Sequence, residues 1–211
     1  MLGANDGIVS TASLIVGVGA AHSTHQNILL TATAGLVAGS MSMAAGEYVS
    51  VSSQADTERA DLKKEQRELS DNIDGERQEL AQIYMKRGLD EGLAADVAIQ
   101  LMEHDALATH ARDELGITEI STARPVQAAL ASAVSFAVGA ALPVAILFLP
   151  LRQNMIPAVA ASALICLMAL GVLAARVGGA SMWRGACRVG IWGALAMAVT
   201  AGIGMLIGAA I

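Results

Sequence analysis

Charged residues fall in blocks along the chain, and the intervals between the blocks are long and apolar. No Asp, Glu, Lys or Arg occurs in residues 126–149, 153–175 or 189–211. Each run is long enough for the ~20 residues a helix needs to cross ~30 Å of hydrocarbon. A further uncharged interval separates Asp6 from Glu47, with the polar patch His22-Ser-Thr-His-Gln-Asn27 near its middle. That interval accommodates two passes and a turn. The pattern predicts an all-α polytopic membrane protein with five transmembrane helices, near residues 2–21, 28–51, 126–149, 157–175 and 189–211.

Between the second and third predicted spans the pattern changes. Residues 56–119 hold 17 of the 19 acidic residues, together with 8 bases. No Gly or Pro interrupts Gln54 to Leu69, so the second span is expected to continue outward as a helix. Ser70-Asp-Asn-Ile-Asp-Gly75 reads as a turn. Helices are then expected over about 76–86, 93–103 and 106–115, the last ending at Gly116. The predicted organisation is transmembrane helices one and two in residues 1–53, an acidic helical metal-binding domain in 54–120, and transmembrane helices three to five in 121–211.

Composition sharpens this picture. The chain is 55% hydrophobic with mean hydropathy +0.55 and net charge −6. The acidic block alone carries −9, which argues against nucleic acid as a partner because phosphate needs a basic surface. It points instead to plain solubility or to cations. Twelve of the 13 Lys and Arg residues flank one side of the predicted spans, which places the acidic domain in the cytoplasm. Cys166 and Cys187 lack CxxC spacing and a nearby His, and read as packing residues. No nucleophile–base pair, HExxH or phosphate loop is present, so an enzyme is not expected, nor an organic cofactor.

Two groups of residues carry candidate chemistry. Glu65 and Glu68 are three apart, as are Glu76 and Glu79, so each pair shares a helix face. If the turn at 70–75 folds the helices together, four carboxylates converge in the manner of a helical-bundle metal site. His110 and Glu114, at i, i+4, add an imidazole suited to a borderline transition metal. The same spacing also describes a solvated charged face, in which Lys64 and Glu68 form an ordinary i, i+4 salt bridge. The second group lies in the hairpin. Only 15 uncharged residues follow Asp6 in the first span, ~22 Å of helix, so either Asp6 lies inside the hydrocarbon or the helix begins before Met1, and both options put Asp6 at membrane depth. A carboxylate at that depth marks a functional site by default. Counting outward from the turn puts Asp6 level with Met43, with Glu47 one turn beyond. Met43 by itself is equally an apolar filler.

Four stretches resemble the vacuolar iron transporter family, including its bacterial members. They are Asn5-Asp-Gly-Ile-Val9, Gly39-Ser-Met-Ser-Met-Ala-Ala-Gly-Glu-Tyr-Val-Ser50, Gln54-Ala-Asp-Thr-Glu-Arg59, and Ala111-Arg-Asp-Glu-Leu-Gly116. The likeness runs over nearly the whole chain. It implies a homodimer of five-span subunits that exchanges protons for Fe²⁺ (or Mn²⁺) and exports the metal from the cytoplasm. It implies metal ligation by Glu65, Glu68, Glu76, Glu79 and Glu114, and a membrane site at Asp6 and Met43. For a bacterial member the expected location is the inner membrane. Some eukaryotic members have a Met-Met pair where His110-Ala111 stands, so His110 is expected to substitute for a soft ligand. A glutamate found early in the second span of some members is replaced by Gly35.

Overall fold

The computed structural model describes residues 2–117, 123–151 and 154–210. The predicted boundary at 120/121, Glu119 and Arg152 lie outside the described residues. Seven α-helices are present among those described: α1 (Leu2–Ala20), α2 (His25–Asp71), α3 (Ile73–Lys86), α4 (Glu91–Asp113), α5 (Pro125–Ile146), α6 (Met155–Val177) and α7 (Met182–Ala210). By length and composition α2, α5, α6 and α7 can cross a membrane. The 19-residue α1 is not among them, since Asn5 and Asp6 lower the hydropathy of an already short helix.

Several predicted boundaries move, each for a local reason. The second predicted span begins at His25 rather than Ile28, with the Thr24 hydroxyl accepting the Asn27 N–H at 3.3 Å. The expected six-residue turn at 70–75 shrinks to Asn72, whose side chain accepts the Gly75 N–H at 3.1 Å and caps α3. Asp90 caps α4 in the same way through Leu93, so that the helix begins at Glu91, two residues before its predicted start. The two helices expected over 93–115 form one element with a kink at Asp105 (φ −160°, ψ 96°), whose carboxylate accepts the Ala108 N–H at 2.9 Å. The fifth predicted span begins at Met182, seven residues before Val189, so Arg184 and Arg188 belong to a helix rather than to a loop. Arg is a good helix former, and the break falls instead at Gly178-Gly179, with Gly179 at φ +67°.

The chain forms two units, Met1–Tyr48 with Val126–Ile211, and Val49–Pro125. In the first, the core lies around α1. Thr11, Ala12 and Ile15 are almost fully buried, and their neighbours include Ala32, Leu147, Val159, Ala163, Leu167 and Met197. Small residues permit this enclosure. A Cβ on Gly7 would strike the Phe136 carbonyl of α5, and one on Gly139 the Ala4 carbonyl of α1. One on Gly204 would strike the Gly17 carbonyl, and one on Gly208 would lie 2.7 Å from the Ala21 Cα. The Gly204–Gly208 pair, a G-x-x-x-G that suits either a contact between copies or packing within the chain, therefore packs α7 on α1. The outward faces of α2, α5, α6 and α7 carry exposed Leu30, Val134, Ile165 and Leu206.

In the second unit α3 packs on α4 around Leu80, Tyr84, Ala94, Ala98 and Met102. A polar clamp closes the far end. Asp113 accepts hydrogen bonds from Tyr84 Oη (2.9 Å), Arg87 Nη1 (2.6 Å) and Arg112 Nη2 (2.8 Å). Burial opposes its charge, but the bonds from Arg112, Arg87 and Tyr84 prevail and lower its pKa from 3.8 to about 2.

Two outcomes follow from this packing. Gly204→Leu should cost about 1–3 kcal/mol through overpacking against α1, whereas Gly202→Ala, with open space beyond its Cα, should melt like the parent in detergent. Asp113→Asn should cost about 2 kcal/mol, the linkage worth of a carboxyl moved from 3.8 to about 2. A lowered carboxyl pKa stabilises fully above its unfolded value. The gap between parent and variant in circular-dichroism melts should thus persist above pH 4 and close as pH falls towards 2.

Candidate metal centre

Three helices of the second unit each contribute to one cluster: Glu65 from α2, Glu76 from the first turn of α3, and His110 with Glu114 from the end of α4. One ligand atom from each lies within 4.8 Å of all the others. His110 Nδ1 is 2.9 Å from Glu65 Oε1, 2.9 Å from Glu114 Oε2 and 3.8 Å from Glu76 Oε2. Four donors at ~2.1 Å from one ion stand ~3.4 Å apart in a tetrahedron, and these separations straddle that value. Side-chain exposure rises from 0% at His110 through 13% at Glu76 to 27% at Glu114, so the cluster opens on the Glu114 side.

The cluster is unbalanced in charge and in hydrogen bonding. A single imidazole nitrogen faces three carboxylates, and its one proton serves one of them well. The hydrogen bond goes to Glu114. Glu65 Oε1, equally close, lies off the hydrogen-bonding direction and is left buried without a donor, as is His110 Nε2. The proton on Nδ1 is assigned from the oxygens it faces. Burial first, and then the charge of Glu114, raises the pKa of Glu65. Burial and then Glu79 raise that of Glu76. Glu114 follows the last turn of α4, where the helix dipole disfavours a carboxylate. A divalent cation would answer the costs borne by the three carboxylates. Three carboxylate oxygens with one imidazole form a donor set for a borderline metal such as Fe²⁺, Mn²⁺ or Zn²⁺.

The other sequence-predicted residues lie elsewhere. Glu68 stands outside the four-residue cluster and pairs with Lys64 at 3.2 Å, the ordinary salt bridge that the spacing also allowed. Glu79 is exposed, one helical turn from Glu76, and acts on the cluster through its charge. In the first unit, Asp6 and Glu47 are exposed and their carboxylates make no hydrogen bond or ion pair among the described residues; Met43 is half-buried. Gly35 faces Leu14, and Gly19 approaches Ile28. These two approaches run antiparallel, Leu14 with Gly35 and Gly19 with Ile28, and nearer the other end Phe136 of α5 meets both Gly7 and Gly39. Sequence reasoning missed Asn5, whose buried Oδ1 has no hydrogen-bond partner. It also missed the Tyr84–Arg87–Asp113 clamp, which fixes the turn carrying His110 and Glu114. A carboxylate preceding Glu114 and a Tyr 29 positions upstream carry no periodic signal.

Comparison with known proteins places this geometry in a family. The VIT family model matches residues 1–205. A vacuolar iron transporter of Acanthamoeba castellanii is 46% identical over 207 residues, covering 98% of this chain and 76% of that protein. Vacuolar iron transporter homolog 1 of Oryza sativa subsp. japonica is 40% identical, covering 99% of this chain and 72% of that protein. Vacuolar iron transporter homolog 3 of Arabidopsis thaliana is 37% identical, covering 99% and 81%. With four membrane-length helices and matched residues along almost its whole length, the chain belongs to the VIT family.

Proposed function

We propose that this chain is a proton-coupled transporter of divalent metal that exports Fe²⁺, and secondarily Mn²⁺, from the cytoplasm. The observation that carries the reading is the convergence of Glu65, Glu76, His110 and Glu114, with one ligand atom from each within 4.8 Å of all the others. In this reading α1 is the fifth span, the second unit faces the cytoplasm, and the transporter is a homodimer in a bacterial inner membrane. The likeness to vacuolar iron transporters supports metal as the cargo.

The cluster captures the ion, with Glu68 and Glu79 adding negative potential around it. His110 supplies the nitrogen that tilts selectivity from hard towards borderline ions. Asp6, Met43 and Glu47 then carry the ion through the membrane. The register set by Leu14 and Gly35 supports the level placement of Asp6 and Met43. Proton exchange follows if the membrane carboxylates take up protons as metal leaves, because desolvation favours the neutral acid.

Competition between metal and protons at the cluster has a definite sign. The carboxyls of Glu65 and Glu76 titrate above their ordinary 4.5, so their affinity for metal should fall as pH drops through that raised range, before an ordinary carboxylate would respond. Calorimetric titration of the detergent-solubilised protein with Mn²⁺ across a pH series measures this. His110→Ala should weaken Fe²⁺ and Zn²⁺ binding by roughly tenfold or more and Mn²⁺ binding less. In proteoliposomes with a pH gradient, Asp6→Ala should lower Fe²⁺ flux at least about tenfold while metal binding at the cluster persists, the loss expected when an ion-path carboxylate is removed. Undiminished flux in that variant would exclude the membrane path. Binding without flux in the parent protein would make the chain a metal buffer or sensor.

A further inference from the structure

A cleft of about 390 Å³ lies where α6 ends and α7 begins, lined by Ala174, Ser181, Arg184 and Arg188 among others. Its walls are set by the close crossing of the two helices, where a Cβ on Gly171 would lie 2.6 Å from the Gly185 carbonyl. Arg184 and Arg188 are one turn apart on α7 and share a face. Neither makes an ion pair, nor does Arg176 nearby, and the only acids among the described residues of this unit are Asp6 and Glu47. Two guanidinium groups thus line one concavity, and neither has an ion-pair partner among the described residues.

The surroundings say what the cleft would take. It sits at the ends of two membrane-length helices, the level of lipid headgroups. Val177 (78% exposed) and Trp183 (77% exposed), outside the lining, stand at the same two helix ends, an apolar chain and an interfacial aromatic. A soluble anion has no use for those side chains, whereas a lipid has acyl chains to lay against them. Two guanidinium forks suit phosphate oxygens by bidentate bonding.

We propose that the cleft between the end of α6 and the first turns of α7 binds the phosphate headgroup of an anionic glycerophospholipid, gripped by Arg184 and Arg188. The site is separate from the metal cluster, and its test does not depend on transport. Full-length protein in detergent is titrated with phosphatidylglycerol or phosphatidylcholine, and retained lipid is counted by native mass spectrometry. Phosphatidylglycerol should be retained in preference to phosphatidylcholine. The double variant R184Q/R188Q should weaken it by about 10–30-fold, the scale expected for two interfacial arginines. R176Q, which removes a charge beside the cleft but not in its lining, should lose less. If the double Gln variant fails to fold, R184K/R188K keeps the charge and removes the forks, and should still weaken retention. Equal retention of both lipids, unchanged affinity in the folded variants, or displacement of phosphatidylglycerol by equimolar inorganic phosphate would overturn the proposal.

Discussion

Burial of one carboxylate beside two others governs the second unit. Glu65 is nearly inaccessible to water, yet faces Glu76 and Glu114 across one imidazole nitrogen. Water screens like charges on a helix surface to a few tenths of a kcal/mol per pair. Out of water both the burial and the neighbouring charges disfavour the ionised form, and the pKa values of Glu65 and Glu76 rise, through burial first and then through the charges of Glu114 and Glu79. Something must hold the helices together against that cost. The apolar contacts of Leu80, Tyr84, Ala98 and Met102 do part of this. The clamp on Asp113 does the rest, tying α3 to the last turn of α4 beside Glu114. Stability and ligand preorganisation therefore sit on adjacent residues, 113 and 114, whose side chains serve different partners.

A different constraint shapes the first unit. Lipid provides no water for polar groups, so Asn5, Thr11 and Ser13 are better enclosed by neighbouring helices than turned to hydrocarbon. The short helix that carries these groups is accordingly at the centre, and the four membrane-length helices present their large side chains outward. Enclosure demands close approach, which is why glycine recurs where α1 meets α5 and α7.

Much of this was legible in the residue pattern. The apolar runs of α5, α6 and α7 are long and uncharged, and length against hydrocarbon thickness is a coarse test that tolerates shifted ends. The kink at Asp105 fell between two helices expected from the sequence because an Asp that caps is also a residue that breaks. The glutamate spacing put Glu65 and Glu76 on usable faces, but periodicity gives the face of one helix and not the rotation between two. For that reason Glu68, three residues from Glu65, turns to Lys64. His110 and Glu114 were identified as one face, while the burial of that face depended on Leu80 and Tyr84, distant in sequence. The start of α7 was misplaced because charge marked a loop where helix propensity, and the glycines before it, decided otherwise.

The glycines of α7 carry one more consequence. Gly204 and Gly208 are already occupied by Gly17 and Ala21 of the same chain. A motif that brings two separate helices together elsewhere is used up here in closing a single subunit. Any contact between copies would have to be built from another face, and a change at these glycines would be felt in the folding of one chain.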